Sequence, residues 1–132
     1  VARTFIQPVQ SMRETGVKMK LTPIRSIVKG KRVVVIDDSI VRGTTMGQIV
    51  KMLRDAGAKE VHVRISSPSF LHPCYYGTDI DSEENLIACH YTVEEICNII
   101  GAESLAYLPL DKLDRITGGS DHCAACFDGI YP

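Results

Sequence analysis

The sequence predicts an α/β fold: a parallel sheet with flanking helices. Three observations carry this reading. A β-branched run, Arg32 to Asp38, has the length and composition of a strand. Met46, Ile49, Val50 and Leu53 follow it at i, i+3, i+4 and i+7, the period of an amphipathic helix. Val61, Val63 and Ile65 then alternate as a second strand, and a further helix and strand come after them. Strand–helix–strand–helix–strand order calls for parallel strands joined by right-handed crossovers.

Taken in order, residues 1–6 read as a short strand remnant. Gln7 to Lys20 contains Pro8 and Gly16 and shows no apolar period, so it reads as a loop. Lys29-Gly30-Lys31 is a turn. The run from Arg32 to Asp38 is apolar at successive positions, which predicts a strand buried on both faces. The first helix is expected from about Thr45 to Ala56, with Gly57 as its stop. The second strand closes at Ser66-Ser67-Pro68. Ser69 to Tyr91 is a long polar and aromatic connection with one helical turn expected near Glu83–Ile87; connections of that length tend to carry function. Thr92-Val93-Glu94-Glu95 is a capping box. It opens a helix with Val93, Ile96, Cys97 and Ile100 on one face and Gly101 as its stop. A third strand is expected at Leu105–Leu108 and a short helix at Asp111–Ile116. Gly118-Gly119 then leads into a tail with Cys123, Cys126 and Phe127.

The chemistry is concentrated where the first strand ends. Asp37 and Asp38 are adjacent acids at the carboxyl end of that strand, the position at which α/β sheets bind ligands. A single Asp there is commonly a cap for the following turn. Two adjacent acids repel each other after an apolar run, and sugar hydroxyls or Mg²⁺ would offset that cost. Ser39, Ile40, Val41, Arg42, Gly43, Thr44 and Thr45 follow. Gly43 permits close backbone approach, the threonines supply hydroxyls, and the helix supplies the positive end of its dipole, which suits a phosphate. The segment lacks the spacing of a P-loop, so ordinary nucleoside triphosphate hydrolysis is not indicated. A ligand carrying phosphate, sugar and metal together is the first expectation.

Composition narrows the class. The chain has 132 residues, 15 Lys and Arg, and 16 Asp and Glu, which suits one soluble domain or part of one. Residues 1–32 hold eight Lys and Arg against Glu14 alone, a basic arm that points to an anionic ligand or is simply a solvated terminus. No apolar run nears the ~20 residues of a membrane span. Phe5 is the only aromatic of the arm, so a nucleic-acid module is disfavoured. Of the five cysteines, Cys74, Cys89, Cys97, Cys123 and Cys126, an odd count without a secretion signal speaks against a disulfide framework and for a reducing cytoplasm. Cys97 falls on an apolar helix face and reads as core. Cys123-Ala124-Ala125-Cys126 fits metal or cluster ligation, a zinc site with His122 as a fourth ligand, or free thiols. It sits in a tail and not at a helix start after a strand, so a thioredoxin-type role is disfavoured. The chain begins with Val1 in mid-pattern and is expected to be a piece of a longer protein.

Val35-Ile36-Asp37-Asp38-Ser39-Ile40-Val41-Arg42-Gly43-Thr44-Thr45 resembles the phosphoribosyl-diphosphate (PRPP) motif of type I phosphoribosyltransferases. Arg3-Thr4-Phe5-Ile6-Gln7-Pro8, Gly16-Val17-Lys18-Met19-Lys20-Leu21, Ser66-Ser67-Pro68, His72-Pro73-Cys74-Tyr75-Tyr76-Gly77 and Cys123-Ala124-Ala125-Cys126 are similar, more narrowly, to the amidophosphoribosyltransferase family. The resemblance covers nearly the whole chain in order.

The resemblance implies a partial type I phosphoribosyltransferase fold and a PRPP-binding part of a glutamine-dependent enzyme that makes 5-phosphoribosylamine for purine synthesis. In that family pattern Asp37 and Asp38 match the pair that engages ribose hydroxyls and Mg²⁺, and residues 39–45 hold the 5′-phosphate. Arg3 to Lys20 match part of a mobile loop that closes over PRPP. Cys74, Cys123 and Cys126 match three of four ligands of a [4Fe-4S] cluster, the fourth Cys lying upstream. Ammonia would come from an upstream glutaminase domain absent here, along with the first strands of the fold and its pyrophosphate-binding residues. A homo-oligomer is implied. The division expected is a mobile basic loop at 1–31, an α/β core at 32–117 and a cysteine-containing tail at 118–132. The alternatives are another type I phosphoribosyltransferase acting on a nucleobase, and a non-catalytic module that senses PRPP or binds nucleic acid.

Overall fold

The structure, a computed structural model, describes residues 23–119 and 121–132. The strand expected at 1–6, the loop at 7–20 and the closing-loop residues Arg3 to Lys20 lie outside the described residues. Among the described residues three strands form one parallel sheet in the order β1-β2-β3: β1 is Arg32–Asp37, β2 is Glu60–Ile65 and β3 is Ser104–Tyr107. Before β1 comes a single helical turn, α1 (Arg25–Val28), where the loop was expected to continue to residue 31. Its end is tied down, because the Gly30 amide donates to the Gly57 carbonyl (2.7 Å) and the Lys59 amide to the Lys31 carbonyl (2.8 Å).

Helix α2 (Thr44–Asp55) connects β1 to β2, and its Met46 and Val50 are buried as the period predicted. Between β2 and β3 run a 3₁₀ turn (Glu83–Asn85), a short helix α3 (Ile87–His90) and α4 (Val93–Ile100). The capping box of α4 is formed: the Glu95 amide donates to Thr92 Oγ1 and the Thr92 amide to Glu95 Oε1, both at 3.2 Å. After β3 come α5 (Leu110–Thr117) and α6 (Ala125–Asp128). The last of these is a helical turn inside the stretch read as tail. It is four residues long, too short to show a period.

One apolar core holds the sheet to its helices. Val61, Val63 and Ile65 of β2 are buried against Ile40, Met46, Val50, Ile87, Ile96 and Ile100. Helices α2 and α4 supply most of this cover and pack on each other. A second cluster, Phe70, Ile80 and Leu86, lies in the long connection and gathers Val41, Cys74, Cys126 and Phe127 around it.

Two burial expectations are corrected. Among the described residues β1 is covered on one face only, with Val34 and Ile36 60% and 76% exposed. The helices cover the face that carries Val33, Val35, Val61 and Val63, and among the described residues the opposite face is open. There β2 and β3 are polar: His62 bonds Ser104 Oγ through Nδ1 (2.7 Å) and Glu60 through Nε2 (2.9 Å), and Arg64 also donates to Ser104 Oγ (2.9 Å). Apolar content cannot tell burial on one side from burial on two. Val93 is exposed as well, because the buried stripe of α4 is set by Ile96 and Ile100 and its first residue stands at the solvent end. Cys97 is half-buried, with its thiol donating to the Ala102 carbonyl, as a core residue should be.

Candidate functional site

Asp37 is the last residue of β1 and Asp38 the first beyond it. Because a strand alternates its side chains, Asp37 lies on the covered side with Val33 and Val35 while Asp38 lies on the open side with Val34 and Ile36. Their burial follows: Asp37 is half-buried and Asp38 exposed. Burial pushes the Asp37 carboxyl above the ordinary carboxylate range. The Asp38 amide, which donates to Asp37 Oδ1 at 2.9 Å, pulls it back, and the charge of Asp38 adds to the rise. The turn is held from β2, since the Ser66 amide and hydroxyl both donate to the Asp37 carbonyl (2.9 and 3.2 Å). Ser39 Oγ donates to Asp38 Oδ1 at 2.9 Å. No cation pairs with either acid among the described residues. Two like charges held a residue apart without a counter-charge suit a divalent cation or a set of hydroxyl donors.

Ser39 to Gly43 bridge this strand end to α2. Ile40 is buried and anchors the loop in the core. Gly43 is the N-cap of α2 and adopts a left-handed backbone with φ of 81°. The first helical bond runs from the Gly47 amide to the Gly43 carbonyl, so the amides of Thr44, Thr45 and Met46 come before any intrahelical acceptor. The first turn carries no acidic side chain. A twelve-residue helix whose opening amides and dipole are uncompensated is a place for an anion.

This loop is also gripped from the far side. The Ile87 amide donates to the Val41 carbonyl at 2.9 Å. Arg42 faces Asp81 at 3.7 Å. A Cβ on Gly43 would meet Ile87 Cδ1 at 2.7 Å. Sequence reasoning missed Asp81 and Ile87, which sit in a connection without a period and carry no motif. The Gly43→Ala substitution combines the left-handed backbone with that clash. It is expected to cost about 1–3 kcal/mol of stability, read as a fall of several degrees in thermal midpoint. A variant melting with the parent would show that the loop has room for a side chain.

Cys74 and Cys126 meet where the tail packs on the long connection. The Leu71 and His72 amides donate to the Cys126 carbonyl at 3.0 and 3.1 Å, and Tyr131 Oη donates to the Pro73 carbonyl at 2.7 Å. Phe70 stacks obliquely on Phe127 with ring centres 5.1 Å apart. The tail is thereby seated on the loop that carries Cys74. Amides of Tyr76 and Thr78, and then Gly77, turn toward Cys74 and draw its thiol down to about 7; the Thr78 amide stands 3.4 Å from Sγ. Burial pushes Cys126 the other way, and the charges of Cys74 and Cys123 add to it; Cys74 and Cys126 both pack against the Phe70, Ile80 and Leu86 cluster. Cys123 itself is exposed and lines a cavity of about 430 Å³ with His122 and Tyr131. Among the described residues no group of three His, Cys, Asp or Glu side chains is arranged to hold a metal ion. His122 as a zinc ligand is disfavoured: its Nε2 faces Asp114 at 3.3 Å and its Nδ1 faces Thr117 Oγ1 at 3.4 Å.

A family model described as "Phosphoribosyl transferase domain" matches residues 1–81, a span that contains the acidic pair and the whole anion loop. The chain belongs to the phosphoribosyl transferase domain family. Individual relatives extend the likeness past residue 81. An amidophosphoribosyltransferase from Synechococcus elongatus is 57% identical across 100% of this chain and 27% of its own length. One from Bacillus subtilis is 54% identical across 100% of this chain and 29% of its own length. A solved B. subtilis glutamine PRPP amidotransferase, complexed with ADP and GMP, superposes with a TM-score of 0.80 at 55% identity, covering 99% of this chain and 30% of that one. The chain thus spans under a third of the length of these relatives. For this phosphoribosyl transferase domain the parallel sheet with flanking helices is the type I phosphoribosyltransferase fold, as the sequence predicted. Among the described residues no helix is long and apolar enough to cross a membrane.

Proposed function

We propose that this chain is the PRPP-binding part of a glutamine-dependent amidophosphoribosyltransferase. The parent reaction takes PRPP, glutamine and water to 5-phosphoribosylamine, glutamate and pyrophosphate, an early step of purine synthesis. The observation that carries the reading is the acid pair leading through a glycine-capped loop into the open N-terminus of α2, within a chain that is 57% identical to an amidophosphoribosyltransferase along its whole length.

The residues divide the work. The amides of Thr44, Thr45 and Met46, with the hydroxyls of Thr44 and Thr45 and the Ser39–Gly43 loop, take the 5′-phosphate at the helix dipole. Asp37 and Asp38 accept hydrogen bonds from the ribose hydroxyls and fix the sugar. When Mg²⁺ is bound, these same carboxylates would hold it near the pyrophosphate, where it supplies charge neutralisation for the leaving group. Positioning and electrostatics suffice here, because substitution at the anomeric carbon needs no covalent nucleophile from the protein. Ammonia is the nucleophile and is delivered from a glutaminase domain of the parent chain. Cys74, Cys123 and Cys126 supply the soft sulfur donor type that an iron–sulfur cluster takes, with a fourth Cys upstream, and the three would have to close up around the metal, since they are not grouped to hold one here. Its contribution would be to fasten the tail, since PRPP chemistry moves no electrons.

The test is turnover by the complete protein. With PRPP, glutamine and Mg²⁺ it is expected to release pyrophosphate and glutamate in equal amounts. Release of pyrophosphate only when a purine or pyrimidine base is supplied, with glutamine untouched, would replace this reading with nucleobase transfer.

A further inference from the structure

We infer that residues 81–87 are a brace for the phosphate loop, with Asp81 and Ile87 as positioning residues for PRPP; the inference rests on the reading of residues 39–45 as the phosphate site. Three successive loop residues meet this segment in three different ways. Val41 is fixed by a backbone bond from Ile87, Arg42 by the charge of Asp81, and Gly43 by contact with the end of the Ile87 side chain. None of these contacts belongs to a strand or helix ladder, and each lands on the loop rather than on the core beneath it.

The brace is itself held rigid. Asn85 Nδ2 donates to both Asp81 oxygens (3.0 and 3.2 Å), and the Ser82 amide donates to Oδ1 (3.0 Å), which keep the carboxylate ionised and aimed. Ile80, just before the segment, and Leu86, within it, are buried in the second apolar cluster, and Ile87 is buried in the first. The brace therefore bridges the two cores. An exposed pair such as Arg42–Asp81 adds little to stability. Its orienting effect on Arg42, beside the opening amides of α2, is the property that remains. A guanidinium held on the residue before the N-cap of α2 would offer its charge to a doubly charged phosphate arriving at that helix end. Ile87 acts differently. It fills the space in front of Gly43, which keeps the loop from relaxing outward and its amides from diverging.

The experiment is steady-state kinetics on the complete enzyme with ammonia as the nitrogen source. Asp81→Asn is expected to raise KM for PRPP about three-fold, with kcat, the KM for ammonia and the thermal midpoint unchanged, and Asp81→Glu to restore it. Ile87→Val removes Cδ1 and is expected to raise the PRPP KM about five-fold. In the Gly43→Ala background the same change is expected to recover the part of the PRPP affinity lost to the clash, because it removes the atom a new Cβ would strike while the left-handed backbone strain stays. Thr45→Val serves as the control for the site itself. If it weakens PRPP while Asp81→Asn and Ile87→Val do not, the brace is wrong and the phosphate site stands. If Thr45→Val has no effect either, the phosphate reading fails and the brace falls with it. Equal losses toward PRPP and ammonia, or no recovery in the double variant, would mark the segment as ordinary scaffold.

Discussion

The Asp37→Asn, Asp38→Asn double variant of the complete protein is expected to lose PRPP affinity by roughly 100-fold or more, since hydrogen bonds to charged groups contribute about 1.5–3 kcal/mol each. The variant is nonetheless expected to fold, and to be more stable than its parent at neutral pH. The sign follows from Asp37. Burial and the neighbouring charge raise its carboxyl in the folded chain. Folding then favours the protonated form, so stability is greatest below the ordinary carboxylate range and falls as pH climbs through the raised value. Asn carries no such dependence and still offers Oδ1 to the Asp38 amide. The gap in thermal midpoint between variant and parent should open across that window and level off above it. Calorimetric titration with Mg-PRPP reads the first effect and pH-resolved melting the second. Undiminished affinity would overturn the assignment of the acids, and a midpoint gap that does not change with pH would overturn the account of why they sit there at a cost. A site that is destabilising when empty and indispensable when filled is the usual mark of function over stability.

The acid pair was legible in the sequence because its signal is local. A strand that ends in two carboxylates, followed by glycine and hydroxyl residues and then a helical period, needs no long-range information to interpret. The helices α2 and α4 were legible for the same reason, through Met46 and Val50 in one and the Thr92 capping box in the other. What could not be read is set by contacts between distant segments. Val34 and Ile36 have the composition of buried strand residues, and only the placement of the helices shows that the cover among the described residues lies on the other face. Asp81 and Ile87 reach the phosphate loop across some forty residues of chain, and nothing in their neighbourhood marks them. The seating of the tail on residues 70–74 is of this kind too. Its cysteines were read from resemblance, whereas the bonds that hold Cys126 in place involve main-chain groups of Leu71 and His72, which any residue could supply.

That seating leads to the second large effect. If Cys74, Cys123 and Cys126 hold a cluster with an upstream Cys, the complete protein purified without oxygen should be brown and carry about four irons per chain. Cys74 and Cys126 already pack against one apolar cluster, and backbone amides draw the Cys74 thiol down to about 7. Cys126 is different, because burial and the charges around it hold its proton on. A metal would therefore have to displace that proton, and occupancy should fall as pH falls. Without metal the tail is left to the Leu71 and His72 amides, the Phe70–Phe127 contact and the Tyr131–Pro73 bond. Those are a few hydrogen bonds and one aromatic pair, each contributing about 1 kcal/mol. Removing iron, or substituting Cys126→Ser, is expected to speed hydrogen exchange at Leu71, His72 and 125–129 by at least ten-fold while α2 and the sheet keep their protection. PRPP turnover should decline only as far as the loosened connection reaches Ile80 and Leu86, which anchor the brace in the second apolar cluster. A colourless, iron-free protein whose tail exchanges at the same slow rate would rule the cluster out and leave Cys74, Cys123 and Cys126 as thiols seated by main-chain bonds alone.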